Sequence, residues 1–142
     1  MGAAENKDLV GRIFQEGMNE QRDGAFVDYL SAGYVNHDMP APQPGPEGFL
    51  QVMKAFWEGF PDGRVEVEAI VADGDLVATR GVFTGTHKGE FMGVPASGAT
   101  IRVPYMDMWR IENGKAVENW VRLDNLALMQ QIGAVPSAPP AS

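Results

Sequence analysis

The chain has 142 residues and a formal net charge of −8. That length fits one domain, and so acidic a surface repels nucleic-acid phosphates, which argues against nucleic-acid binding. The sequence contains no cysteine, so disulfides, thiolate nucleophiles and cysteine metal sites are excluded together.

Hydrophobic residues make up 44% of the chain, enough for a packed core. No run approaches the roughly 18 apolar residues that a membrane-spanning helix needs. The first residues, Met1 to Lys7, show no apolar stretch of signal-peptide type, so a cytoplasmic protein without membrane attachment is expected.

Residues 5–19 predict a helix, with Leu9, Val10, Ile13, Phe14 and Met18 near the i, i+3, i+4 pattern. Asp23 is placed to cap a short helix carrying Phe26, Val27 and Leu30 on one side. Residues 33–38 read as a loop or short strand, and the prolines between Met39 and Pro46 read as a loop. Pro46 suits the first turn of a third helix, whose apolar side is Phe49, Val52, Met53, Phe56, Trp57 and Phe60, with Pro61 as its stop.

After Pro61 the period changes to two. Val65, Val67, Ala69 and Val71 mark a strand, and Asp73-Gly74-Asp75 marks a hairpin turn into a second strand, 76–86. A long connection, 88–99, leads to a third strand at 100–111. Glu112-Asn113-Gly114 then turns into a fourth, 115–123. A last short helix over 125–132 stops at Gly133. Helices first and strands after predict an α+β fold in which a curved antiparallel sheet wraps the helices and encloses a pocket. One domain over 1–135 and a mobile tail over 136–142 are expected.

Several strings in this order carry a resemblance: Tyr34-Val35-Asn36-His37-Asp38, Gly45-Pro46-Glu47-Gly48, Phe60-Pro61-Asp62, the run from Thr84 to Phe91, Trp109 to Lys115, and Gln130 to Gly133. Together they resemble the SnoaL-like polyketide and ester cyclases over roughly residues 8–135. The resemblance implies the cone-shaped, nuclear-transport-factor-like fold, usually a homodimer. It also implies an intramolecular aldol ring closure on a polyketide methyl ester with neither metal nor cofactor. In that family pattern an aspartate on the last strand is the general acid/base and a histidine on the preceding strand assists it. Here the aspartate slot falls on Val121, which cannot move a proton, and the histidine slot falls on Asp107. Where many members carry His-Trp, this chain has Asn119-Trp120.

The candidate acid/base residues are therefore Asp107, His37 and Asp124. Alternation puts Tyr105, Asp107 and Trp109 on one strand face. If that face lines the pocket, Asp107 is a carboxylate in an apolar site, suited either to proton transfer or to a structural hydrogen bond. His37 offers a proton affinity near neutrality or a loop contact to backbone. Asp124 is a pocket-rim acid or a cap for the last helix. Tyr105, Asn119, Val121, His87, Trp57, Phe14 and Arg80 are the expected pocket-lining residues, His87 being either a donor or a rim residue. Arg80 and Arg122 facing Asp107 or Asp124 would give an Asp-Arg-Asp network resembling limonene-epoxide hydrolases. No His-x-His or His-Glu-x-x-His motif occurs, so no metal site is expected.

Three functions compete: a cyclase or isomerase acting on an apolar, polyketide-like carbonyl compound, a hydrolase or dehydratase on the same cone, and a noncatalytic ligand-binding dimer.

Overall fold

The computed structural model describes residues 2–136; the expected mobile tail lies outside the described residues apart from Pro136. The first helix, α1 (Ala3–Arg12), continues as a π-helical segment over Ile13–Asn19. This wider winding ends where the Glu20 amide donates to the Gln15 carbonyl. Leu9, Val10, Ile13 and Phe14 are buried, as their spacing predicts. Gly17 faces the Phe26 ring so closely that a Cβ there would lie 2.9 Å from two ring carbons. Asn19 then anchors the sheet edge, exchanging bonds of 2.9 and 2.8 Å with the Val65 backbone.

Helix α2 (Asp23–Tyr29) is followed directly by strand β1 (Leu30–Asn36). Leu30, expected on the helix, is its first residue. After the proline-rich loop, α3 (Gly45–Gly59) buries Phe49 and Met53. Strands β2 (Arg64–Asp73), β3 (Leu76–Thr86), β4 (Thr100–Glu112) and β5 (Lys115–Leu123) follow, and α4 (Asn125–Gln131) closes the fold. The β4–β5 turn places both Asn113 (φ 51°) and Gly114 (φ 74°) in the left-handed region, as a tight hairpin of matching twist requires.

The sheet has the order β1-β5-β4-β3-β2. The fold is α+β with a curved sheet, as expected, and the sheet is unclosed, but it is not a pure antiparallel meander. β1 pairs in parallel with β5, with Asn36 opposite Asn119. This pairing joins segments more than eighty residues apart, which alternation within either segment does not reveal. The concave face of the sheet packs on the helices. Trp109, Tyr34, Phe14, Phe26 and Phe49 form one core cluster, and Phe60, Phe83, Phe91, Ile101 and Leu128 form a second.

Candidate active site

The register of β3, β4 and β5 builds the site. Thr79, Asp107 and Val121 are cross-strand partners in one row, and alternation sends all three side chains to the concave face. Thr79 donates its single hydroxyl hydrogen to Asp107 Oδ1 at 2.5 Å. The Tyr105 hydroxyl, 2.9 Å from Thr79 Oγ1, must therefore donate to that oxygen. Trp109 Nε1 donates to Asp107 Oδ2 at 2.9 Å. These bonds hold the carboxylate in one orientation. Burial pushes the Asp107 carboxyl up to about 7, despite the opposing bonds from Thr79 and Trp109.

Asp107 sits in the wall of a cavity between sheet and helices. Phe14 and Met18 line it from the first helix, Phe49, Met53, Phe56 and Trp57 from α3, and Asn119, Val121 and Leu123 from β5; Asn36 and Met39 add to the wall from the end of β1 and the loop after it. The wall is mostly carbon, with the polar groups of Asp107, Tyr105, Asn36 and Asn119 set into it. The cavity holds about 80 Å³, well below the ~300 Å³ at the small end of ligand sites. Met18, Met39 and Met53 are the adaptable part of the wall, because unbranched thioether chains change rotamer at small cost.

A model of the SnoaL-like polyketide cyclases matches residues 8–132, most of the chain. The chain belongs to the SnoaL-like polyketide cyclase family. Among solved structures, a candidate SnoaL-like polyketide cyclase from Jannaschia sp. CCS1 is 30% identical, with a TM-score of 0.84 over 94% of this chain and 95% of that one. IdmH, a candidate polyketide cyclase from Streptomyces antibioticus, is 33% identical, with a TM-score of 0.79 over 90% and 98%. AclR, a candidate hydroxylase from Streptomyces galilaeus, is 28% identical, with a TM-score of 0.84 over 97% and 87%. No curated protein matches the chain.

On this SnoaL-like frame the expected site residues separate into two groups. Asp107, Tyr105, Asn119, Val121, Trp57 and Phe14 all line the cavity. Arg80, expected there, is instead exposed and paired with Glu68 at 3.1 Å. It stands opposite Met106, which is 63% exposed on the convex face. Arg122 is exposed too and pairs with Asp38, so neither arginine reaches Asp107. His37 lies on the convex side, where its ring stacks on Trp120 at 4.9 Å and its Nε2 meets Glu118 at 2.6 Å. Trp120 is thus opposite Asn119 and Val121, as alternation predicts. Asp124 caps α4, accepting from the Ala127 amide at 3.0 Å.

His87 is no rim residue. It is fully buried beside Phe60. Its Nδ1 accepts from the Ser97 amide at 3.1 Å and lies 2.8 Å from the Ser97 hydroxyl, so it fastens the 88–99 connection rather than facing the cavity.

Two contributors escaped sequence reasoning. Thr79 is an unremarked strand residue until the β3–β4 register sets it opposite Asp107. A 13-residue connection separates those strands, so the register cannot be counted from a tight turn. Asn36 sits within one of the matched strings but takes its place beside Asn119 only through the parallel pairing.

Proposed function

We propose that the protein is a cofactor-free acid/base enzyme of cyclase or isomerase type, acting on an enolisable carbonyl compound with an apolar, ringed body. The observation that carries this reading is Asp107: a carboxylate held by Thr79 and Trp109, in a carbon-lined cavity, with its proton affinity raised to about 7. A base balanced near the working pH is the one best able both to take a proton and to return it. Asp107 removes a proton from carbon next to the carbonyl. The electron pair moves onto the carbonyl oxygen as an enolate, and the enolate carbon attacks a second carbonyl of the same molecule. The Asp107 carboxylic acid then protonates the new alkoxide. The family and the likeness to IdmH support this class.

The hydrolase alternative loses support because Arg80 pairs with Glu68 and Arg122 with Asp38, away from Asp107, so among the described residues neither arginine joins Asp107 in a network that positions water. The test is exchange of α-protons for deuterium in a panel of aromatic β-keto methyl esters, followed by NMR. Wild type should catalyse exchange, and Asp107→Asn should lose about 10²–10⁴-fold. No exchange by wild type on any ester would favour the noncatalytic binding reading instead.

The second proposal is a homodimer through the convex sheet face. Met106 and Met108 are 63% and 40% exposed there, on the same face as Trp120. Apolar surface of this kind is a liability unless covered. Light scattering that finds a monomer at micromolar concentration would remove it.

A further inference from the structure

The buried tyrosine at the head of the β1–β5 seam is used by none of the chemistry above. Tyr34 is 2% exposed, and its hydroxyl bonds to Asn119 Oδ1 across 85 residues of sequence. A phenol can donate or accept, so its neighbours decide which way the Asn119 amide points. Asn36 Oδ1 is occupied by two backbone amides, Asp38 N at 2.9 Å and Met39 N at 2.7 Å. That fixes the Asn36 amide and leaves its Nδ2 as a buried donor with no well-formed bond, beside the Tyr34 oxygen. With a donor on that side, the Tyr34 hydrogen goes to Asn119 Oδ1. Burial also pushes the phenol far above its usual range, so this hydrogen stays in place at any working pH.

The consequence lies in the cavity. Asn119 is 2% exposed and lines the same wall as Asp107 and Val121. Its carbonyl is turned to Tyr34, so the group it is oriented to offer a ligand is its N–H pair. We propose that Tyr34 is a positioning residue that holds the Asn119 amide with its N–H pair toward the cavity, making this wall a subsite for the carbonyl or enolate oxygen of the substrate. A donor fixed before the reaction is worth more to a developing oxyanion than one that must reorient.

This rests on the reading of Asp107 as the proton acceptor, and the experiment separates the two. Once Asp107 has taken the proton it is neutral, and Asp107→Asn imitates that state. In this background, the affinities of 4-nitrophenolate (a stable enolate mimic) and 4-nitroanisole (no charge, no hydroxyl) are measured by quenching of tryptophan fluorescence. The pH is set above the phenol's own pKa. The protein should prefer the phenolate. Adding Tyr34→Phe should cut that preference about tenfold, the size of one hydrogen bond to a charged group, while anisole affinity stays within about twofold.

A merely structural Tyr34 would lower the melting temperature and leave the preference intact, which overturns the proposal. Should Tyr34→Phe fail to fold, Tyr34→Phe/Asn119→Leu replaces both partners by apolar groups, a change that is close to neutral for stability. It should abolish the preference, and a retained preference again overturns the proposal. Anisole binding with no phenolate preference before either change overturns the donor subsite alone. Failure of both probes to bind any form, wild type included, overturns the ligand cavity along with it.

Discussion

Asp107 and Val121 face each other directly across the β4–β5 ladder, and both line the cavity. Cross-strand partners on one face have Cβ atoms about 4.5–5.5 Å apart. The two positions where the resemblance leads one to expect an acid and an assisting histidine are therefore one cross-strand pair, and in this chain a carboxylate stands on its β4 member.

That relationship changes what Val121→Asp should do. A second carboxylate opposite Asp107 cannot ionise freely, because like charges at this range disfavour each other. The pair should share one proton around neutrality and titrate in two macroscopic steps. The pH–rate profile for α-proton exchange should broaden and its upper limb move above that of wild type, whereas Val121→Ala leaves the profile in place. A profile unchanged by Val121→Asp would show that the two positions do not communicate.

The ionisation of Asp107 also predicts a pH profile for wild type. The carboxylate is the proton-accepting form, and it predominates above about 7. The exchange rate should therefore rise with pH and level off above about 7. A rate that falls through that window would identify the protonated acid as the active form instead.

Much of this site was legible in the sequence. The alternation of Tyr105, Asp107 and Trp109 placed them on one face, and that face lines the cavity. Trp120 also fell where an outward residue belongs, whereas Asp124, a candidate acid, takes up its other reading as the cap of α4. What the sequence hid was everything set by pairing at long range. Thr79 meets Asp107 through a register that a long connection separates, and Tyr34, Asn36 and Asn119 meet through a parallel ladder. His37 was misleading for a local reason: it follows the inward Asn36 by one residue, so extension alone turns it to the outside, onto Trp120.

His37 accordingly yields a prediction opposite to a catalytic role. His37→Ala should leave α-proton exchange within about threefold of wild type, because its ring contacts Trp120 and Glu118 and not the cavity. It should instead lower stability by about 0.5–1.5 kcal/mol, the range for one aromatic pair. A hundredfold loss of exchange in a folded variant would return His37 to the site.

His87→Leu tests the other histidine by stability alone. It removes the acceptor for the Ser97 amide, a part-buried bond at 3.1 Å, and losing one such bond costs about 0.5–1.5 kcal/mol. A lower melting temperature with an unchanged exchange rate is the expected result. Loss of exchange with an unchanged melting temperature would place His87 in the chemistry.

The last prediction concerns the cost of keeping Asp107 where it is. Its carboxyl is raised in the fold from an ordinary 3.8 to about 7. Below the unfolded pKa both states carry the proton, and the fold has its full stability. As pH rises from about 4 to about 7, the unfolded chain ionises while the folded chain keeps its proton, so stability falls; above the folded value the loss is complete. The interval of about three pH decades, at ~1.4 kcal/mol each, sets the loss at ~4 kcal/mol. Asp107→Asn removes this group from the balance and keeps the shape, since Thr79 can reverse its bond and accept from the new amide. The variant should therefore gain on wild type as pH rises from 4 to 7, and should be the more stable protein at pH 8 while being the less active. Denaturant melts of both proteins across that range measure the difference directly. Parallel curves would mean that Asp107 ionises as readily in the fold as in the open chain, and its role as a base tuned to neutrality would go with them.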